Sequence, residues 1–144
     1  MARGSVKIEG VQELLRKNKN LSTELASMNR SVIIQEAENL KRVMIAKAPK
    51  QTGLLSRSID KRIWKDEKGV IGIVVGVRGG VEEFRVGEGN KAYYPASQEY
   101  GWEYPKGVHH PPHPYIRPAF DENKNAIRNH LKKAYKQVIE RAGK

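Results

Sequence analysis

The spacing of Leu25, Met28, Val32, Ile33, Ala37, Leu40, Met44 and Ala48 constrains this chain more than any other feature, because it keeps one stripe apolar over about six helical turns. Pro49 ends the stripe by disfavouring helical backbone at the residue before it. Upstream, Ile8, Val11, Leu14 and Leu15 recur at helical spacing and predict a short first helix reaching to about residue 17. Asn18-Lys19-Asn20 is expected to break it, with Ser22 capping the long helix that follows. Arg30, Glu38, Lys41, Arg42 and Lys47 fall on the polar side and read as a solvated face.

The period changes after Pro49. Leu55, Ile59 and Ile63 fall on one side of an expected strand, with Ser56, Ser58, Asp60 and Arg62 opposite. Asp66-Glu67-Lys68-Gly69 predicts a turn, and the β-branched run 70–77 predicts a partner strand, so the two form a hairpin. Gly72 and Gly76 inside that run suggest a bulge or the close approach of another backbone. Residues 78–91 hold Gly79, Gly80, Gly87 and Gly89 together with Glu82, Glu83, Arg85 and Glu88, the pattern of a flexible arm. A third strand is expected over about 92–98.

Pro105, Pro111, Pro112, Pro114 and Pro118 forbid a helix over 101–118 and favour a rigid extended loop. Pro118 suits the first position of a closing helix over 118–142, in which Phe120, Ile127, Leu131, Ala134, Val138 and Ala142 share a face. Lys124, Arg128, Lys132, Lys136 and Lys144 are spread over the rest of it. The 144 residues therefore read as one α+β domain. It is helical over 5–48, β-rich over 54–100, loop-like over 101–118 and helical to 142. The expected architecture is a mainly antiparallel three- to four-stranded sheet packed by the long helix of the N-terminal half and the C-terminal helix.

With 27 Lys+Arg against 16 Asp+Glu, the formal charge of +11 favours anionic partners. The absence of cysteine excludes disulfides, thiolate ligands and a Cys nucleophile. The longest apolar run, 70–77, falls far short of the roughly 20 residues that span a bilayer, so no membrane partner is expected. The opening Met1-Ala2-Arg3-Gly4-Ser5-Val6-Lys7 lacks the apolar stretch of a secretory signal, so export by that route is not expected either.

No catalytic signature emerges. His109, His110 and His113 crowd three imidazoles into five positions, but they sit in a Pro-rich loop where neither a carboxylate nor a helix places them to converge on a metal. Glu82-Glu83 and Asp121-Glu122 are neighbours in sequence, whereas acid–base catalysis needs carboxylates facing each other across a cleft. No nucleophile elbow, zinc-protease helix or phosphate-cradling glycine loop is present. The chain is accordingly expected not to be an enzyme and to need no cofactor. Tyr93, Tyr94, Tyr100, Trp102 and Tyr104 cluster in sequence and suit either protein docking or base stacking. Docking is favoured, because no finger, RNP-like or helix-turn-helix pattern accompanies them.

Three segments carry a family resemblance. Ala48, Pro49, Thr52, Gly53, Leu55 and Ser58 match an A-P-x-x-T-G-x-L-x-x-S pattern. Tyr94, Glu99 and Gly101 loosely match Y-x-x-x-x-E-x-G, and Pro114, Tyr115, Ile116, Arg117, Pro118 and Ala119 match P-x-x-P-[FYM]-[ILM]-R-P-A. In that order the chain resembles the small tail-component family of long-tailed bacteriophages, the "gene product ten" type, over most of residues 20–140.

The resemblance implies a virion structural protein of a phage or prophage, acting in tail completion or head-to-tail joining. It would be made in the host cytoplasm and built into the virion as a six-fold connector ring. Its expected partners are other copies of itself, neighbouring connector and tail-tube proteins, and DNA passing through the ring. Candidate docking residues are Glu82, Phe84, Arg85, Tyr93, Tyr94, Trp102, Tyr104 and Tyr115. Pro49, Thr52, Gly53, Glu99, Gly101, Arg117 and Pro118 are the structural landmarks, with Arg117 expected to pair with Glu99 or with the polar face of the first strand. The alternative function is a small basic nucleic-acid-binding accessory protein.

Overall fold

The structure is a computed structural model that describes residues 10–50, 53–67, 71–79, 84–86, 92–103, 107 and 109–143. Residues 1–9, Thr52, Lys68, Gly69, the first residue of the run 70–77, Gly80, Glu82, Glu83, Gly87, Glu88, Gly89, Tyr104, Pro105 and Lys144, all part of the readings above, lie outside the described residues.

Helix α1 runs unbroken over Val11–Lys47, about 55 Å at 1.5 Å per residue, so the expected break at 18–20 is absent. Asn and Lys are only mildly unfavourable inside a helix, unlike proline. The hydroxyls of Ser22 and Thr23 both donate to the Lys19 carbonyl at 3.0 Å, bonds that a continuing helix accommodates. The predicted stop is where the proline puts it: Ala48 turns extended (φ −62°, ψ 138°) while its N–H still closes onto the Met44 carbonyl.

Gly53 then takes φ +71°, the left-handed region that glycine enters without penalty, and starts the short helix α2, Leu54–Ser58. These residues were expected to begin a strand. Leu55 and Ile59 are four apart, a spacing that puts side chains on one face in a helix and in a strand alike, so the periodicity could not separate the two. Strand β1, Ile59–Lys65, pairs antiparallel with β2, Ile71–Val77, in a continuous register from Ile59 opposite Val77 to Lys65 opposite Ile71.

The hairpin is present, but it does not grow into a three- or four-stranded sheet. Strand β3 (Arg85–Val86) pairs with β4 (Ala92–Tyr93), and β5 (Trp102–Glu103) with β6 (His109–His110), so three separate two-stranded sheets result. The third strand expected over 92–98 ends after Tyr93 and becomes helix α3, Tyr94–Tyr100. Pro95 sits in its first turn, where a missing N–H costs nothing. Gly101 terminates it at φ +71°, and a Cβ there would stand 2.8 Å from the His110 carbonyl. The loop after α3 therefore closes directly over the glycine.

Helix α4 spans Ile116–Ala142, starting two residues before Pro118, which still falls in the donor-poor first turn. α4 packs along α1, and so do both strands of the hairpin. The C-terminal helix thus rests on the long helix and not on a sheet. The two helices are antiparallel, as the Glu36–His130 hydrogen bond (2.7 Å) and the Lys47–Glu122 ion pair (2.7 Å) fix. The main core gathers at the C-terminal end of α1, where Met44, Ala48, Leu55, Ile59, Tyr115 and Ala119 are all buried. Leu40, Val75, Val77 and Tyr94 press on it from the rim.

Candidate assembly surfaces

The base of α4 is organised by one carboxylate. Tyr115, the residue preceding the helix, supplies no side-chain cap of its own. Glu99 of α3, only 2% exposed, supplies it instead: Oε2 accepts the N–H groups of Tyr115 (2.8 Å) and Ile116 (2.9 Å), and Oε1 accepts that of Arg117 (3.0 Å). The Arg117 guanidinium adds an ion pair at 3.1 Å and a bond to the Glu99 carbonyl at 3.3 Å, and lies 4.9 Å above the Tyr100 ring. Burial alone would raise the Glu99 carboxyl, but these donors outweigh it and hold it below the usual carboxylate range. The pairing of Arg117 with Glu99, one of two partners the sequence suggested, is the one the structure contains.

A second set of charges ties the hairpin to α1. Asp60 accepts from Lys41 (3.0 Å) and Arg78 (3.2 Å), and Glu38 pairs with Lys61. The hydrogen bond from Lys41, followed by those from the Lys61 backbone and Arg78, lowers the Asp60 carboxyl to about 2. Lys61 likewise lowers the Glu38 carboxyl.

The proposed docking residues separate into four groups. Phe84 and Tyr115 are 1% and 0% exposed, so they anchor the core and offer nothing to a partner. An aromatic ring in a proline- or glycine-rich segment looks available in sequence, yet it is also the largest apolar group that such a segment can bury. Phe84 in particular fixes part of the supposed flexible arm, which also pairs through Arg85 and Val86 with β4. Tyr94 is half-buried against the core, and Trp102 is half-buried in β5 opposite His110. Arg85 and Tyr93 are placed by their backbones, directly across from each other. Glu82 and Tyr104 lie outside the described residues.

The three histidines do not converge. His110 and His113 meet edge to face at 5.8 Å, while His109 leans toward Glu103 at 3.8 Å. Among the described residues no group of three or more His, Asp or Glu side chains is arranged to hold a metal, and no helix is long and apolar enough to cross a membrane.

The surfaces left uncovered are ones the sequence reading did not select. α4 ends twelve residues beyond its pairing at His130, whereas α1 begins 25 residues before its pairing at Glu36. The N-terminal end of α1 therefore overhangs by roughly 20 Å. On that overhang Leu14 and Leu15 are 61% and 57% exposed, and Val11 is exposed beside them. Their spacing continues the stripe that α4 covers further along. On the hairpin, Trp64 and Val74 are exposed, with the Trp64 ring lying over Gly72. The glycine that suggested a close backbone thus accommodates an indole, in an unbulged register. Helical period reveals such a stripe but says nothing of whether the same chain covers it.

Compared with known proteins, the chain matches no family model, no curated protein and no solved structure.

Proposed function

We propose that this protein is a structural component of the head-to-tail junction of a long-tailed bacteriophage, a tail-completion or connector subunit that works as a ring without catalysing a reaction. The observation that carries the reading is that the three segments behind the family resemblance form one physical unit. Ala48 and Leu55 from the first segment and Tyr115 and Ala119 from the third share the buried core. Glu99 from the second caps the helix that the third begins. Residues scattered over 70 positions of sequence thus support a single corner of the fold, as a family signature of structural origin would.

The distribution of apolar side chains supports assembly. Eleven large hydrophobic residues are exposed among the described ones, while only nine hydrophobic residues are buried, three of them alanines. A small core beside that much uncovered apolar surface favours burial against neighbours. A ring of identical subunits is closed by heterologous contacts, which need two different surfaces on each copy. The α1 overhang and the outer face of the hairpin meet that requirement.

Quantitative mass spectrometry of purified particles tests the reading. On the order of six copies per particle, the number a closed six-fold ring contains, is the expected result. Absence from particles, with the chain found on intracellular DNA, would overturn it in favour of a nucleic-acid-binding accessory protein.

A further inference from the structure

α4 carries a row of cations that the protein itself pairs with carboxylates only at the two ends. Lys124, Arg128, Lys132 and Lys136 are all exposed and recur every four residues. Each rises about 6 Å and steps about 40° around the axis from the last, so the four line one flank of the helix over about 18 Å. At its two ends the row has acidic neighbours on the same helix, Asp121 at 2.7 Å from Lys124 and Glu140 at 3.8 Å from Lys136. Arg128 and Lys132, in its middle, have no acidic partner among the described residues. On other elements Lys41, Lys47, Lys61 and Arg78 each meet a carboxylate from a neighbouring element. Like charges four apart on a helix repel, so the row works against the helix unless something outside it supplies negative charge.

We infer that this flank of α4 binds the phosphate backbone of double-stranded DNA. One DNA strand presents a phosphate about every 3.4 Å along the axis, so a row of this length faces about five of them. Flexible exposed lysines suit phosphates better than base edges, and the contact is therefore indifferent to sequence. The choice of DNA as the polyanion rests on the junction reading, in which DNA passes the assembled subunits. Of the aromatic residues first considered for stacking, Tyr94 is packed on the core and Trp102 is half-buried.

The test is the salt dependence of binding by the purified full chain to a short mixed-sequence duplex, followed by fluorescence anisotropy. Four phosphate contacts give a slope of log K against log salt of about −3.6, or about a hundredfold loss between 50 and 200 mM. The pair Arg128→Gln and Lys132→Gln should make the slope shallower by about 2. The charge-matched pair Arg30→Gln and Lys133→Gln, exposed but off the row, should leave it unchanged.

An unchanged slope in the first pair, or an equal change in the control, overturns the inference. So does a first pair that binds DNA normally but no longer assembles, which would give the row to a neighbouring subunit. The two readings fail separately. Six copies per particle with no salt-dependent DNA binding removes this inference alone, and absence from particles removes the junction reading while the slope still reports on α4.

Discussion

Oε1 of Glu99 accepts two donors from Arg117, the backbone N–H at 3.0 Å and the guanidinium Nε at 3.1 Å, so one side chain fixes both the first turn of α4 and the arginine that leaves it. The two contributions are unequal. The cap is buried, whereas the Arg117 side chain is 61% exposed and its ion pair is screened by water.

Glu99→Ala therefore strands three backbone donors, one of them on the fully buried Tyr115, and is expected to cost about 3 kcal/mol. In a chain of this size that lowers the melting temperature by roughly 6–12 °C. Arg117→Ala should cost no more than about 1 kcal/mol. Thermal melts of the two variants check the ranking, and an Arg117 variant melting below the Glu99 variant would show that the ion pair outweighs the cap.

This corner explains what could be read in advance. Pro49 and Gly53 act through backbone rules that hold in any fold, so the end of α1 and the turn that follows it were legible. The hairpin was legible as well, since β-branched residues alternate across a clear turn. Other features depended on tertiary contacts. Residues 94–100 look strand-like until Glu99 is needed as a cap, which a helix delivers and a strand ending at 98 would not. Phe84 and Tyr115 resembled docking residues because sequence gives their type and not their burial. The overhang of α1 was hidden for the same reason, its stripe being identical in kind to the one α4 covers.

Acid should loosen the ties between the hairpin and α1. The Asp60 carboxyl is lowered from an ordinary 3.8 to about 2. A depressed carboxylate contributes stability that is fully present above the ordinary value and is lost as pH falls through the folded one. Melting temperature should thus drop between about pH 4 and pH 2, with Glu38 acting in the same direction. Asp60→Asn removes part of that drop and lowers stability at neutral pH. Melts across this range check it; parallel curves for the variant and the natural chain would show that the Lys41 and Arg78 bonds do not couple to folding.

The two glycines of β2 should respond oppositely to a β-branched replacement. A Cβ on Gly72 would lie 2.3 Å from the Trp64 ring, so Gly72→Val must push the indole outward into water. Gly76 has nothing within 4 Å of its would-be Cβ, and Gly76→Val should raise stability by up to about 1 kcal/mol through strand propensity. Tryptophan emission separates them: a shift to longer wavelength is expected for the Gly72 variant and none for the Gly76 variant. The same spectrum for both would mean that Trp64 does not rest on Gly72.

The α1 overhang should matter to assembly and not to the fold of one chain. Leu14 and Leu15 are already exposed, so Leu14→Ser with Leu15→Ser should change the stability of the isolated subunit by no more than about 0.5 kcal/mol per site. In a ring that buries both side chains, the same pair forfeits at least about 3 kcal/mol of apolar burial, or roughly a hundredfold in association. Particles complemented with the double variant should then carry far fewer copies than those complemented with the natural chain, while the two purified proteins melt alike. Equal copy number would move the subunit contact away from the overhang, leaving the hairpin face with Trp64 and Val74 as the apolar surface to test next.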